Sequence, residues 1–350
     1  MNFTRFRERY VDASEMNSLL RYTTKYYNIV FGAKGADLFK RTAYIEDGIV
    51  NFKLTLKIGS IPCTYICRKD SMEVHEQING GEAFRILSTF YKVPRVDKKF
   101  CGRADEGGMS ASPIIWYNPK YECQWVDAYG YDMNSAYSYS MLEDMPDTSV
   151  PLRSGQIKEG IEIGFEEILN PKNPEATMLV PKYKGFSLYI FPLMESPFKR
   201  FVEIWYSKKI NSEPGSSERI KAKGVLNFSI GQLQNINPFL RATIIGKCNE
   251  RINKLIDDDT LYCNTDSIVS RRKLNLDIGT NVGQWKLEHE GKFAYKGFNY
   301  QWKNGDVSYR HVPKSWFPSD WDITIDELPV GKNLYRFDME SCRLQKNEKS

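Results

Sequence analysis

Apolar and polar positions alternate most regularly in three stretches of the chain. "GIVNFKLTLKIGSIPCTYICRKD", Gly48 to Asp70, reads as a β-hairpin, and "CQWVDAYGYDM" reads as a strand that ends after Met133, where Asn134 and Ser135 are helix-start residues. "LYCNTDSIV", Leu261 to Val269, runs from an apolar segment through a polar quartet into a second apolar segment, the pattern of a hairpin with Asp266 at its tip. Helical periodicity predicts a helix in "EMNSLLRYTTKYYNIVFG", near the start of the chain. A second, basic and amphipathic, lies in "EPGSSERIKAKGVLNFSIGQL", with Ser216 as its N-cap. A third, "FLRATIIGKCNERINKLI", leads to the Asp266 hairpin, and the acids Asp257 to Asp259 between them read as a solvated turn. The loop "CGRADEGGMSASP", Cys101 to Pro113, marks a boundary. From Pro146 to Pro214 proline and glycine predict an irregular insertion with short strand-like pieces such as "GFSLYIF". The tail from Lys303 alternates strand and loop signals.

Composition narrows the class more than the function. A length of 350 residues suits two or three packed units, and 41% hydrophobic content is enough to fold them. No run approaches the roughly 18 apolar residues of a membrane span, so a soluble protein that does not act in a membrane is expected. Seven cysteines at irregular positions predict reduced thiols in a cytoplasmic compartment. Cys63 and Cys67 have no second metal-binding pair near them, and the chain has only three histidines, so structural thiols are expected rather than zinc ligands. The net charge of +5 permits a polyanionic partner without requiring one. The 13% aromatic content suits base stacking and an ordinary core equally.

The candidate chemistry lies in two acids, Asp132 in "YDMNSAY" and Asp266 in "NTDS", each at the end of a predicted strand. Two carboxylates brought together repel unless a cation separates them, and hard oxygen ligands select Mg²⁺ or Mn²⁺. Two such ions about 4 Å apart activate a hydroxyl and neutralise a leaving phosphate. Lys223, near the start of a helix, is then the cation placed to meet a triphosphate. Alone, "DMNSAY" is equally a capped helix start and "NTDS" a polar turn.

Taken in order, these motifs resemble those of family B DNA polymerases, and among them the protein-primed replicases of phages and linear plasmids. "DMNSAYS" is similar to D-x-x-S-L-Y-P, "KGVLNFSIG" to K-x-x-x-N-S-x-Y-G, and "YCNTDS" to Y-x-D-T-D-S. The resemblance covers roughly Arg103 to Tyr300. It implies metal ligation by Asp132, the Met133 carbonyl and Asp266, with two Mg²⁺ or Mn²⁺ ions and catalysis by Asp132, Asp266 and Lys223. It implies nucleotide contacts from Ser135, Tyr137, Arg219, Lys223 and Asn227, with the Tyr137 ring beneath the sugar excluding a 2′-hydroxyl. Primer and template contacts would come from Gly107 and Gly108, Thr265 and Ser267, Lys247 in "TIIGK", and Tyr300 in "GFNY". The implied partners are a DNA primer-template and deoxynucleotides, with a terminal protein or single-strand-binding protein as further candidates and no membrane.

The expected architecture is α+β, a right-hand polymerase with a palm of antiparallel sheet, fingers and a small thumb, plus a small α+β N-terminal domain. Its expected divisions are an N-terminal domain at 1–100, palm at 101–150, an abbreviated insertion and fingers at 151–245, palm again at 246–302 and thumb at 303–350. Several positions depart from the family pattern. Asn264 stands for the first acid of the third motif, Ile230 for the fingers tyrosine, Phe228 for serine, Phe298 for the K-x-Y lysine and Asp105 for the linker tyrosine. The hundred residues before the palm motif are too few for the family's exonuclease, and Asp12 and Glu15 have the wrong spacing for it, so proofreading is expected to be absent. Two alternatives stay open: a catalytically weak polymerase relative that binds DNA as a replication factor, and an unrelated α+β enzyme.

Overall fold

In the computed structural model, residues 78–101, 111–168, 177–297 and 299–303 are described with their side chains. Backbone alone is described in strands at 7–10, 39–46, 49–58, 61–68, 169–170, 173–176, 307–308, 335–338 and 343–346. The chain forms two compact units. The first contains residues 1–74, 118–128 and 291–350, and the second contains 75–117 and 129–290. The helix expected in "EMNSLLRYTTKYYNIVFG", the residues Gly107, Gly108, Asp105 and Phe298, and most of the expected thumb lie outside the described residues.

In the first unit, β1 (Arg7–Tyr10), β2 (Phe39–Glu46), β3 (Ile49–Ile58) and β4 (Ile61–Arg68) form a sheet in the order β1-β4-β3-β2. β3 and β4 are the expected hairpin, with Ile58 opposite Ile61, while β1 joins β4 in parallel. The residues from Gly291 in β14 (Trp285–Lys296) pair with β15 (Asn299–Trp302), which pairs with β16 (Val307–Ser308). Phe293, Tyr295 and Trp302 are buried there. β17 (Tyr335–Asp338) and β18 (Arg343–Lys346) form a separate hairpin.

Among its described residues, the second unit holds two sheets and five α-helices. Its first sheet runs in the order β14, β6 (Val126–Met133), β13 (Ser267–Ser270), β12 (Thr260–Asn264), β5 (Ile115–Tyr117). The other contains β7 (Met145–Pro146), β9 (Glu162–Asn170), β10 (Asn173–Lys182) and β11 (Phe186–Met194) in the order β10-β9-β11-β7, with β8 (Arg153–Gln156) also on β11. This second sheet replaces the expected irregular insertion. Pro174 and Pro181 sit on β10, an edge strand, where a missing amide hydrogen costs no ladder bond.

The helices are α1 (Gly80–Phe90), α2 (Ala136–Ser140), α3 (Lys199–Asn211), α4 (Ser217–Leu233) and α5 (Pro238–Asn253). Ser216 caps α4 as expected, its hydroxyl accepting from the Arg219 amide at 3.3 Å. Asn237 caps α5 in the same manner, with Pro238 following it in the first turn. Leu87, Phe201, Val225, Ile230 and Leu240 from four helices share one core, each such side chain contributing about 1.5–3 kcal/mol through burial. Phe239 of α5 joins a second core, meeting the rings of Phe100, Phe165 and Phe191 at 5.2, 5.1 and 5.0 Å edge-on. A third core sets Cys248 and Ile252 of α5 against Tyr131, Met133, Cys263 and Ile268 of the first sheet. Because strand side chains alternate, the burial of Tyr131 and Met133 under α5 sends Asp132 to the opposite face. Among the described residues, no helix is long and apolar enough to cross a membrane.

Candidate active site

β6 and β13 are antiparallel neighbours with Asp132 opposite Ser267. The Met133 amide donates to the carbonyl oxygen of Asp266 at 3.0 Å, so the end of one strand is tied to the turn that starts the other. That turn is the tip read in "LYCNTDSIV": Asn264 pairs with Ser267, and Thr265 and Asp266 connect them. The Asp266 amide donates to the Asn264 carbonyl at 2.8 Å, closing the chain over Thr265 alone. Thr265 has φ +62°, a left-handed backbone that a β-branched residue adopts at a cost of about 1–3 kcal/mol.

Several bonds hold this strained residue. The Thr265 amide donates to the Ile114 carbonyl at 2.8 Å, and the Thr265 hydroxyl donates to the side-chain oxygen of Asn264 at 3.2 Å. The Ser267 hydroxyl donates to the Asn264 carbonyl at 3.0 Å. Asn249 of α5 fixes the segment behind, accepting from the Ile114 amide at 2.8 Å and donating to the Ser112 carbonyl at 3.0 Å. Asn264 thus serves the turn through both its carbonyl and its side chain. Its amide oxygen steadies Thr265 without adding a third negative charge.

The charge of Asp132 acts on Asp266. Burial, followed by the charge of Asp132, pushes the Asp266 carboxyl up to about 7, while Lys223 and Lys286 pull it down. Burial and then Glu288 raise the Asp132 carboxyl, opposed by Lys286 and Lys223. Lys286 Nζ stands 3.3 Å from Asp132 Oδ2. The Tyr137 hydroxyl, on α2, is also raised, by burial first and then by Cys248 and Asp266. Around the acids lies a cationic rim. Lys209 of α3 donates to the Ser135 hydroxyl at 2.6 Å, and burial together with Lys223, Arg219 and Lys286 lowers its ammonium. Ser135 itself has φ +52° and stands at the N-cap of α2 with no side-chain bond to the helix amides.

The remaining expected residues divide by location. Lys223, Asn227 and Gly231 recur every four residues along one exposed face of α4. Ile230 points the other way, 3% exposed in the helical core, and Phe228 is exposed. Arg219 donates to the carbonyls of Lys209 at 2.9 Å and Ser212 at 3.1 Å, closing the C-terminal end of α3. Lys247 is paired with Glu143 at 2.9 Å, and Arg251 also binds Glu143. Tyr300 belongs to the first unit, where its ring packs on Phe293. Gly107 and Gly108 are outside the described residues. Lys209, Lys286 and Glu288 are additions. Only the alternation in "WKLEHE" hinted that Lys286 and Glu288 share a strand face.

Among the described residues there is no cluster of three or more His, Cys, Asp or Glu side chains arranged to hold a metal. The pair Asp132 and Asp266 nevertheless suits Mg²⁺ or Mn²⁺, because such ions bind through one or two carboxylates and take their other ligands from water and substrate phosphates. The mutual repulsion of the two carboxylates is what a divalent cation between them would relieve. A cavity of about 480 Å³ lies elsewhere, against α5, β10 and residues 111–112, and neither acid lines it.

No protein-family model matches the chain, and no curated protein does. Among solved structures, "Phi29 DNA polymerase complexed with single-stranded DNA" is similar at TM-score 0.50 and 11% identity over 84% of this chain and 78% of that one. "Phi29 DNA Polymerase, orthorhombic crystal form" is similar at TM-score 0.46 and 14% identity over 63% of this chain. This chain spans about half, 54%, of that second structure's length. The first of these likenesses shows a polymerase-like fold.

Proposed function

We propose that this chain is a template-directed DNA polymerase that joins deoxynucleotides to a primer 3′-hydroxyl in phage or mobile-element replication. The observation that carries this reading is the placement of Asp132 opposite Ser267, next to Asp266, with the charge of Asp132 raising the Asp266 carboxyl and Lys209, Lys223 and Lys286 close by. A polymerase-like fold is consistent with it.

In this reading the Asp132 and Asp266 carboxylates and the Met133 carbonyl hold two Mg²⁺ or Mn²⁺ ions. When bound, the ions make the 3′-hydroxyl a better nucleophile and neutralise the departing pyrophosphate. Lys223 and Lys209 present ammonium groups to the triphosphate from α4 and α3, and Arg219, by closing α3, keeps Lys209 in place. Asn227 extends the same α4 face, and Ser135 orients Lys209 through its hydroxyl. Tyr137 forms the floor under the sugar. Thr265 and Ser267 build the turn beside the primer terminus, while Gly107, Gly108, Lys247 and Tyr300 are assigned to primer-template binding. A terminal protein or a single-strand-binding protein is proposed as an additional partner.

Primer extension with Mg²⁺ or Mn²⁺ tests the assignment. Asp132→Ala and Asp266→Ala should each lower extension by more than about 100-fold, beyond what losing an outer-shell partner costs. Unchanged extension in both variants would refute the site. A second reading, a weakly catalytic DNA-binding replication factor, is favoured by Ile230, buried where the fingers motif has its tyrosine, and by Asn264 in place of an acid. It predicts primer-template binding without extension.

A further inference from the structure

Lys286 and Glu288 are two residues apart on β14, so their side chains leave the same strand face, and β14 is the neighbour of β6. Lys286 Nζ lies 3.3 Å from Asp132 Oδ2 and 2.5 Å from Glu288 Oε1. One ammonium therefore bridges a candidate metal ligand and an acid on its own strand. We propose that Lys286 is a tethered counter-ion that competes with the divalent cation for the Asp132 carboxylate. This rests on the metal-ligand role given to Asp132 above.

The geometry favours displacement over a permanent lock. The Lys286 side chain is 44% exposed and that of Asp132 26%, so the ammonium has open solvent to move through while the carboxylate stays put. A lysine is a compact point charge on a flexible stem, with no fork geometry to hold it on one partner. Glu288 gives it a second partner at a shorter distance, so Lys286 keeps an ion pair when it yields Asp132. The cost of entry falls on the metal ion: it must replace an ammonium already at Asp132. An ion that arrives bound to a triphosphate meets the same competitor but brings added attraction to Lys209 and Lys223. The arrangement therefore biases the site toward loading metal and nucleotide together.

The test is Mn²⁺ binding to the full chain without DNA or nucleotide, read from the paramagnetic resonance signal of unbound Mn²⁺. Lys286→Met and Lys286→Gln should each bind Mn²⁺ about fivefold more tightly than the natural chain, the scale of one partly exposed ion pair. Lys286→Arg should show no tightening, and adding Asp132→Asn to Lys286→Met should abolish the gain. Equal or weaker binding by both Lys286→Met and Lys286→Gln, or no Mn²⁺ uptake by any variant, would overturn the proposal. The outcome separates from that of the polymerase reading. Tightened Mn²⁺ binding in a chain that never extends a primer supports the counter-ion and refutes the polymerase. Unchanged Mn²⁺ binding in a chain that extends primers does the reverse.

Discussion

The Thr265 hydroxyl donates to the Asn264 side-chain oxygen across 3.2 Å, at the tip of the hairpin that carries Asp266. Asn264→Asp preserves an acceptor for that hydroxyl and adds a charge beside Asp266. It should leave the protein folded and active, with a changed Mg²⁺ to Mn²⁺ preference in extension assays. Thr265→Val keeps the shape and the left-handed backbone but loses the hydroxyl, so thermal unfolding should show a loss of about 1–2 kcal/mol. Equal stability of Thr265→Val and the natural chain would mean the bond does not hold the turn.

Asp266 makes stability depend on pH. Its folded carboxyl is raised to about 7, so the folded state binds the proton more tightly than the unfolded chain does, whose carboxyl titrates near about 4. Folding is then favoured at pH values below both, and stability falls as pH rises through the window between them. With a chelator present, Tm should decline from pH 5 to pH 7, and Asp266→Asn should flatten that decline. Added Mg²⁺ should flatten it too, by favouring the ionised carboxylate. A slope unaffected by Asp266→Asn would remove this residue as its cause.

Lys209 is a cation of the site that sequence patterning did not single out. If its ammonium meets the triphosphate, Lys209→Met should raise the KM for nucleotide about 10-fold or more, the value of a hydrogen bond to a charged group. Steady-state extension at varied nucleotide concentration checks this, with circular dichroism to show that α3 persists. A variant with unchanged KM would leave Lys209 as a positioning partner of Ser135 alone.

Glu143 holds two cations of α5, Lys247 and Arg251, whose side chains are 12% and 19% exposed. Glu143→Gln leaves both charges without their shared acid. Glu143 is itself 40% exposed, so the loss should be about 2 kcal/mol, below that of a fully buried pair, or a fall of about 5 °C in Tm. An unchanged Tm at low and high salt would show that the pair carries no stability.

The two acids were legible because each ends an alternating apolar run, where a change of pattern marks a strand terminus. Ser216 was legible from a turn followed by helical periodicity. Lys209, Lys286 and Glu288 were not, because a charged residue at the end of a helix or on an alternating strand looks the same whether it faces water or another strand's carboxylate. The region from Pro146 to Pro214 was misread for a related reason: Pro174 and Pro181 fall on an edge strand, where proline is tolerated, and only the pairing order shows which strand is an edge, while Pro192 lies within the central β11. Asp257 to Asp259 do form a turn, but it is laced to Arg271 and Arg272 rather than merely solvated.

Gly224 follows Lys223, and a Cβ there would lie 2.5 Å from Ile78 Cγ2, so only glycine lets α4 come this near to the residues that lead into α1. Farther along, the buried Ser229 hydroxyl donates to the Ala83 carbonyl of α1 at 3.1 Å. With contacts at both places, α4 cannot slide against α1 without a clash at one and a broken bond at the other. The placement of Lys223 on α4 is therefore set by α1 as well, through Gly224 on one side and Ser229 on the other.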